Sequence, residues 1–160
     1  MAVHTIKNIQ KIPASSGQVW DFFSNPANLQ TITPPYMKFK VISQTDEEKI
    51  FSGQIIEYKV RPVLNIPLYW KTVIKEVKSP EYFVDEQEKG PFKLWRHQHF
   101  FKIIEGGVEM TDLVQYQNPL WILGEWANSL FVRQKVLGIF EFRFNKIEEL
   151  FGKWPNEKEN

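Results

Sequence analysis

Apolar and polar positions change their period twice along this chain. From Met37 onward the period is two. "MKFKVIS" sets Met37, Phe39 and Val41 on one face and Lys38 and Lys40 on the other, the pattern of a half-buried strand. "SGQIIEYKVRP" puts Ile56, Tyr58 and Val60 on one face, and "YWKTVIKEV" sets Trp70, Thr72 and Ile74 against Lys71, Val73 and Lys75. "EYFVDEQ" and "FKLWRHQHFFKII" read as strands joined across "EKGP", a turn signal. Gly90 is expected to supply a backbone angle there that other residues resist. Gly106-Gly107 marks a tight hairpin into "GGVEMTDLVQYQNP". Ahead of these strands, "VHTIKNIQKI" alternates as a first strand. Ser15 or Ser16 then caps a helix through Val19, Trp20, Phe22 and Phe23. Asn25-Pro26 ends it, because a residue before proline avoids the helical region. "PANLQTIT" predicts a second short helix with Leu29 and Ile32 on one side, and "TPPYM" an extended connector.

In the last third the period becomes helical. From about Trp121 to Phe151 there is no proline, and Leu123, Trp126, Leu130, Leu137, Phe140, Phe144, Ile147 and Phe151 follow steps of three and four with one skip. A second line, Leu120, Phe131, Val132, Val136 and Ile139, widens the apolar face. The spacing predicts one helix of about eight turns, roughly 45 Å long. Pro155 and "NEKEN" end it, so residues 1–154 read as one domain and 155–160 as a charged flexible tail.

A helix with so wide an apolar face needs an apolar surface to cover. The sheet supplies one, since its strands are wet on the other side. A twisted sheet of about six to seven strands curls, and the helix rests in its concave side. The expectation is an α+β helix-grip fold, with two short helices after the first strand closing one end.

Composition sharpens this picture. Of 160 residues, 13 are Phe, 6 Trp and 5 Tyr, and large rings fill wide cores or line apolar cavities. The net charge of +1, from 20 basic and 19 acidic residues, gives no bulk attraction to nucleic acid. The absence of cysteine excludes disulfides, zinc–thiolate sites and Cys nucleophiles. "MAVHTIKNIQKI" has no apolar stretch of signal-peptide length, and no run reaches the ~18 apolar residues of a membrane span. These features predict a soluble cytoplasmic protein without stable membrane insertion.

"VWDFFSNPANLQTITPPYMKF", "FVDEQEKGPFKLWRHQHFF", "MTDLVQYQNP" and "IFEFRFNKI" carry a resemblance over roughly residues 3 to 151. The chain resembles the START-like, or SRPBCC, superfamily, which includes lipid-transfer START domains, plant Bet v 1 proteins and bacterial polyketide cyclases. Within it, the chain is most similar to a bacterial group of uncharacterised proteins of ligand-binding type. The resemblance implies a hydrophobic cavity between helix and sheet and no established reaction.

Two of the three histidines lie in the middle segment. Strand parity sets Trp95, His97, His99 and Phe101 inward, and Leu94, Arg96, Gln98 and Phe100 outward. By the same rule Asp85 and Gln87 share a face, as do Met110, Asp112, Val114 and Tyr116. Asp112 is then within reach of His97 or His99. Four readings stay open. Two histidines two apart on a strand, with an aspartate, offer ligands to a metal ion. A histidine held by a carboxylate moves protons near neutrality, as in a cyclase or dehydratase. A few polar groups at one end of an apolar pocket orient a ligand. Buried polar groups also simply satisfy one another, the reading preferred for Asp85 and Gln87.

The expected ligand is a small hydrophobic or amphipathic molecule, lipid-like or polycyclic. Phe39, Tyr58, Trp70, Thr72, Trp95, Phe101 and Phe140 are candidates for its body, and His97, His99, Asp112 and Tyr116 for its polar end. No cofactor or resident metal is expected. Trp121 and Trp126 are candidates for a pocket mouth or a homodimer patch. Arg143 is read as a structural partner of Glu141, Glu148 or an inward aspartate. The alternatives are an enzyme using His97 or His99 with Asp112, and a protein-interaction module with a collapsed cavity.

Overall fold

The computed structural model describes residues 2–43, 48–62, 65–118 and 125–155, with side chains of the final helix described from Leu130 onward. The predicted helix positions Leu120, Trp121 and Leu123, the side chain of Trp126 and residues 156–160 of the tail lie outside the described residues.

Strand β1 (His4–Ile12) leads into α1 (Ser16–Phe23). Ser15 is the cap: its hydroxyl accepts from the Gln18 amide, and the Gln18 side chain accepts from the Ser15 amide at 3.1 Å. This reciprocal pairing satisfies backbone donors that the first helical turn leaves open. Asn25 caps a 3-10 turn at Pro26–Gln30 by accepting from the Ala27 amide. "TPPYM", expected to be extended, instead forms a second 3-10 turn at Pro35–Met37, after which Lys38 takes a left-handed conformation at φ 44°. That bend is why β2 shrinks to Lys40–Val41. Met37 and Phe39 still reach the core, because the bend leaves their side of the chain inward.

The remaining strands are β3 (Ile55–Val60), β4 (Leu68–Lys78), β5 (Tyr82–Lys89), β6 (Leu94–Ile104) and β7 (Gly107–Gln117), followed by α2 (Glu125–Phe151). They form one antiparallel seven-stranded sheet ordered β1-β7-β6-β5-β4-β3-β2. Register slips between β4 and β5 at Lys71/Thr72 and at Ile74/Glu76, and such bulges bend a sheet and increase its twist. Gly107 is fixed by packing: a Cβ there would stand 2.1 Å from the Ile12 carbonyl oxygen. Gly90 does not adopt a positive φ. What excludes a side chain there is the Gln87 amide, 2.4 Å from where a Cβ would sit. Gln87 cannot readily yield, since it donates to the Phe92 carbonyl at 2.6 Å and accepts from the Phe92 amide at 3.2 Å.

The apolar phase of α2 differs from the expected one. Val132, Val136, Phe140 and Ile147 are buried, whereas Leu130 is 60% and Leu137 41% exposed. Leu130 and Leu137, seven residues apart, share one face of the helix, and it lies about a third of a turn from the centre of the buried one. The buried line runs along β1 and β7. Val132, Val136 and Phe140 cluster with Ile6, Val114 and Tyr116, and Ile147 joins a second cluster with Trp20, Phe83 and Phe101. Gln10 Nε2 ties β1 to the helix by donating to the Phe144 carbonyl at 2.9 Å. Seven strands at ~4.8 Å spacing span roughly 30 Å, whereas a helix with side chains is ~10–12 Å across. One helix therefore covers only part of the concave face. α1 and the 3-10 turns cover one end, and the stretch facing β3 to β6 is left open.

Candidate functional site: an apolar cavity with a histidine–aspartate end

The uncovered stretch is a cavity of about 250 Å³ with mostly apolar walls. On the sheet side its floor is an aromatic run: Phe39 against Tyr58 (4.8 Å between centroids), Tyr58 stacked on Trp70 (5.8 Å), and Trp70 edge-on to Trp95 (5.4 Å). Strand alternation puts these rings on one face, since Tyr58 and Trp70 are directly paired across β3 and β4. Phe92, just past the Gly90-Pro91 turn, closes over Trp70 and Trp95. On the helix side stand Val132, Val136, Ile139 and Phe140. The Tyr58 hydroxyl and Thr72 Oγ1 are 2.9 Å apart and satisfy each other, and burial pushes the Tyr58 phenol far up. Trp70 Nε1 is buried without a hydrogen-bond partner among the described residues.

One end of the cavity is polar. Asp85 (β5), His97 and His99 (β6) and Arg143 (α2) all line it, and Asp112 (β7) lies directly behind. Asp112 Oδ1 is 2.7 Å from His97 Nε2, 3.0 Å from His99 Nδ1 and 3.9 Å from Arg143 Nη1. The 2.7 Å contact is a hydrogen bond; the 3.0 Å contact is bent away from one. Asp85 Oδ2 faces the opposite nitrogens, 2.9 Å from His99 Nε2 and 4.0 Å from His97 Nδ1. The two imidazoles therefore lie between two carboxyl groups. A ring column holds them in place: Phe83 stacks on His99 at 4.0 Å, His99 on His97 at 3.7 Å, and Phe140 meets His97 edge-on at 5.6 Å.

The surroundings separate the two histidines electrically. For His97, burial lowers the pKa and the neighbouring His99 lowers it further, outweighing the pull of Asp112. For His99, burial also opposes the charge, but Asp112 and Asp85 together outweigh it and the net shift is upward. Asp112 follows the same logic: burial alone would raise it, yet the two imidazoles hold it well below the usual carboxylate range. The favoured arrangement is a protonated His99 beside a neutral His97.

Of the residues expected from the sequence, Phe39, Tyr58, Trp70, Thr72, Trp95, His97, His99 and Phe140 line the cavity. Phe101 does not; it is buried among Trp20, Phe23 and Phe83. Tyr116 is fully buried against β1, with its ring stacked on His4 at 5.2 Å. Asp112 touches the histidines rather than the cavity itself. Asp85, read from the sequence as structural, stands on the cavity wall, while Gln87 does hold the turn. Arg143 pairs with the inward aspartate and is only 7% exposed. Its place on the wall was readable from spacing: 132, 136, 140, 143 and 147 follow helical steps, and only 143 carries a charge. Phe92 went unnamed because a residue beside a Gly-Pro turn reads as loop.

No protein-family model and no curated protein matches the chain. Solved structures do. Protein CV1439 from Chromobacterium violaceum superposes with a TM-score of 0.69 at 12% identity, covering 94% of this chain and 98% of that one. A START superfamily protein from Mycobacterium smegmatis gives 0.65 at 11% identity, over 92% and 99%. Ara h 8.0201 gives 0.59 at 13% identity, over 92% and 99%. With the grip of α2 in a curled antiparallel sheet and these neighbours on either side, the chain has the START-like (SRPBCC) helix-grip fold, which it shares with the Bet v 1-like Ara h 8.

Proposed function

We propose that this protein binds one small, largely hydrophobic molecule with a polar end, held between α2 and the sheet. The observation that carries this reading is the unfilled space of about 250 Å³, apolar except at its Asp85–His97–His99–Arg143 end. Size narrows the class. A cavity of ~150 Å³ holds a benzene ring, and drug-sized ligands occupy ~300 Å³ or more. The fit is to a one- or two-ring molecule or a short acyl chain, with its body against Trp70, Trp95 and Phe140. The open volume speaks against a collapsed interaction module. We read the compartment as the cytoplasm, where a cysteine-free chain loses nothing to reduction.

Native mass spectrometry of protein purified from its own host tests this. The expected result is one small molecule bound per chain. Val136→Trp, which pushes an indole into the space from the helix side, should abolish it with the fold intact. Absence of any bound mass, together with failure to take up a naphthol probe, would rule the reading out.

A second reading is acid–base catalysis on the bound molecule. His97 favours it, since it lies on the cavity wall and is hydrogen-bonded at 2.7 Å to Asp112, the geometry of an oriented general base. Cyclase- or dehydratase-type turnover that is lost in His97→Gln, with ligand binding retained, would support it over binding alone.

A further inference from the structure

The histidine–aspartate end has a property that ligand binding does not require. Asp85, His97 and His99 each offer one donor atom, and these atoms lie within 4.8 Å of one another. We propose that they form a mononuclear site for a divalent first-row transition metal ion, with Asp112 as the residue that positions the His97 imidazole. This goes beyond the ligand reading and does not depend on it.

The argument starts from Asp112. An ionised carboxylate only accepts hydrogen bonds. Its Oδ1 accepts from His97 Nε2 at 2.7 Å and so places that ring's proton, while His99 Nδ1, 3.0 Å away, is bent out of hydrogen-bond geometry. His97 Nδ1 is left with its lone pair, whereas His99 Nε2 donates to Asp85 Oδ2 and would give up that proton to an incoming metal ion. Both nitrogens face Asp85 Oδ2, at 4.0 and 2.9 Å. A divalent ion would replace the His99 Nε2 proton and join the three groups, so that its binding releases protons and competes with acid. A carboxylate holding the far N–H of each ligating histidine is the usual outer shell of a metal site, because it fixes the tautomer and aims the lone pair. Here Asp112 does this for His97.

The distances fit such an ion. Zinc–ligand bonds of ~2.0–2.1 Å in a tetrahedron place ligand atoms roughly 3.3 Å apart. The observed 2.9 and 4.0 Å bracket that spacing and all three donors lie within 4.8 Å of one another, so the donors close on an ion by drawing together by up to roughly 1.5 Å. The donor set chooses the metal class. Two imidazoles and one carboxylate suit zinc, iron or cobalt, whereas magnesium and calcium prefer oxygen ligands. All three residues line the cavity, so the unfilled coordination positions face the space where a substrate or ligand sits.

The test uses the untagged chain, stripped with a chelator and titrated with Co²⁺. One equivalent should bind with micromolar or tighter affinity and give visible d–d absorption of nitrogen–oxygen ligation. Asp85→Asn and His99→Gln should each weaken binding by at least ~100-fold, and Asp112→Asn by about 10–100-fold. His4→Gln should leave it unchanged. Imidazole ¹⁵N spectra of the wild type need no variant to fold: added Zn²⁺ should move His97 Nδ1 and His99 Nε2 and leave His4 where it was. Absence of a 1:1 complex up to millimolar Co²⁺ would overturn the proposal. So would binding that persists in the His97→Gln/His99→Gln double variant, or ¹⁵N shifts that stay those of a protonated His99 in the presence of Zn²⁺. In the last case a proton is the only cation the site takes.

Discussion

At the scale of single residues, the two histidines set a pH optimum for the metal-free chain. In the unfolded chain both titrate near the ordinary value of about 6.5. His99 has its folded pKa raised, so it contributes stability that is present below that value and is lost as pH rises through the folded pKa. His97 has its folded pKa lowered, so the unfolded chain takes up a proton below about 6.5 that the folded chain refuses, and stability falls there. Each limb changes by at most ~1.4 kcal/mol per pH unit. Asp112 adds an acid limb of its own: its depressed pKa contributes stability that is present above the unfolded carboxylate range and lost as pH falls through the folded value. Urea unfolding across pH 5 to 9 should therefore show maximal stability near 6.5. His97→Asn should remove the decline between 6.5 and 5, leaving the Asp112 limb lower down. A curve that rises steadily from pH 7 to 9 would show that the two histidines are not separated in this way.

At the scale of elements, the structure explains which parts of the fold were legible. Strand parity placed His97, His99 and Trp95 on the inner face of β6, because a period of two leaves only one alternative. It also carried Phe101 inward, but parity fixes a face and not what stands opposite. α1 sits above Phe101, so that residue is core, whereas Trp70 faces the cavity beside Phe92. The helix was harder. Steps of three and four let a line drift around a helix, and Leu130 and Leu137 fall on its exposed side while Phe140 and Ile147 of the same line are buried. The same phase error obscured Arg143 as a wall residue. Asp85 does bond His99, as its structural reading expects, but its place on the cavity wall is set by a cross-strand distance that no local pattern encodes. The corrected phase makes a contrast measurable by thermal or denaturant unfolding. Phe140→Ala should cost about 3–5 kcal/mol, since the ring is buried against His97 and the Arg143 guanidinium lies 5.2 Å from its centroid. Leu130→Ser should change stability by no more than ~0.5 kcal/mol. Equal costs would restore the original line.

At the scale of the whole molecule, one helix is asked to cover a sheet nearly three times its width, and the shortfall is the cavity. Burying apolar walls around empty space forfeits dispersion contacts that a filled core would make, so the fold carries a standing cost that a ligand of the right size removes. This links size selectivity to stability. A ligand present at 100 times its dissociation constant stabilises the native state by about 2.7 kcal/mol. In a domain of this length each kcal/mol moves the melting temperature by about 2–4 °C. A naphthol-sized probe at that excess should therefore raise the melting temperature by roughly 5–10 °C. A long-chain fatty acid, too large for about 250 Å³, should have little effect unless α2 moves off the sheet. Val136→Trp should abolish the response to the small probe, because the added indole occupies the same space. If the long chain stabilises more than the small ring, the helix is the mobile element and the resting cavity understates the ligand. In that case Phe140 and Arg143, the helix residues that meet the histidine end, are where the displacement must register.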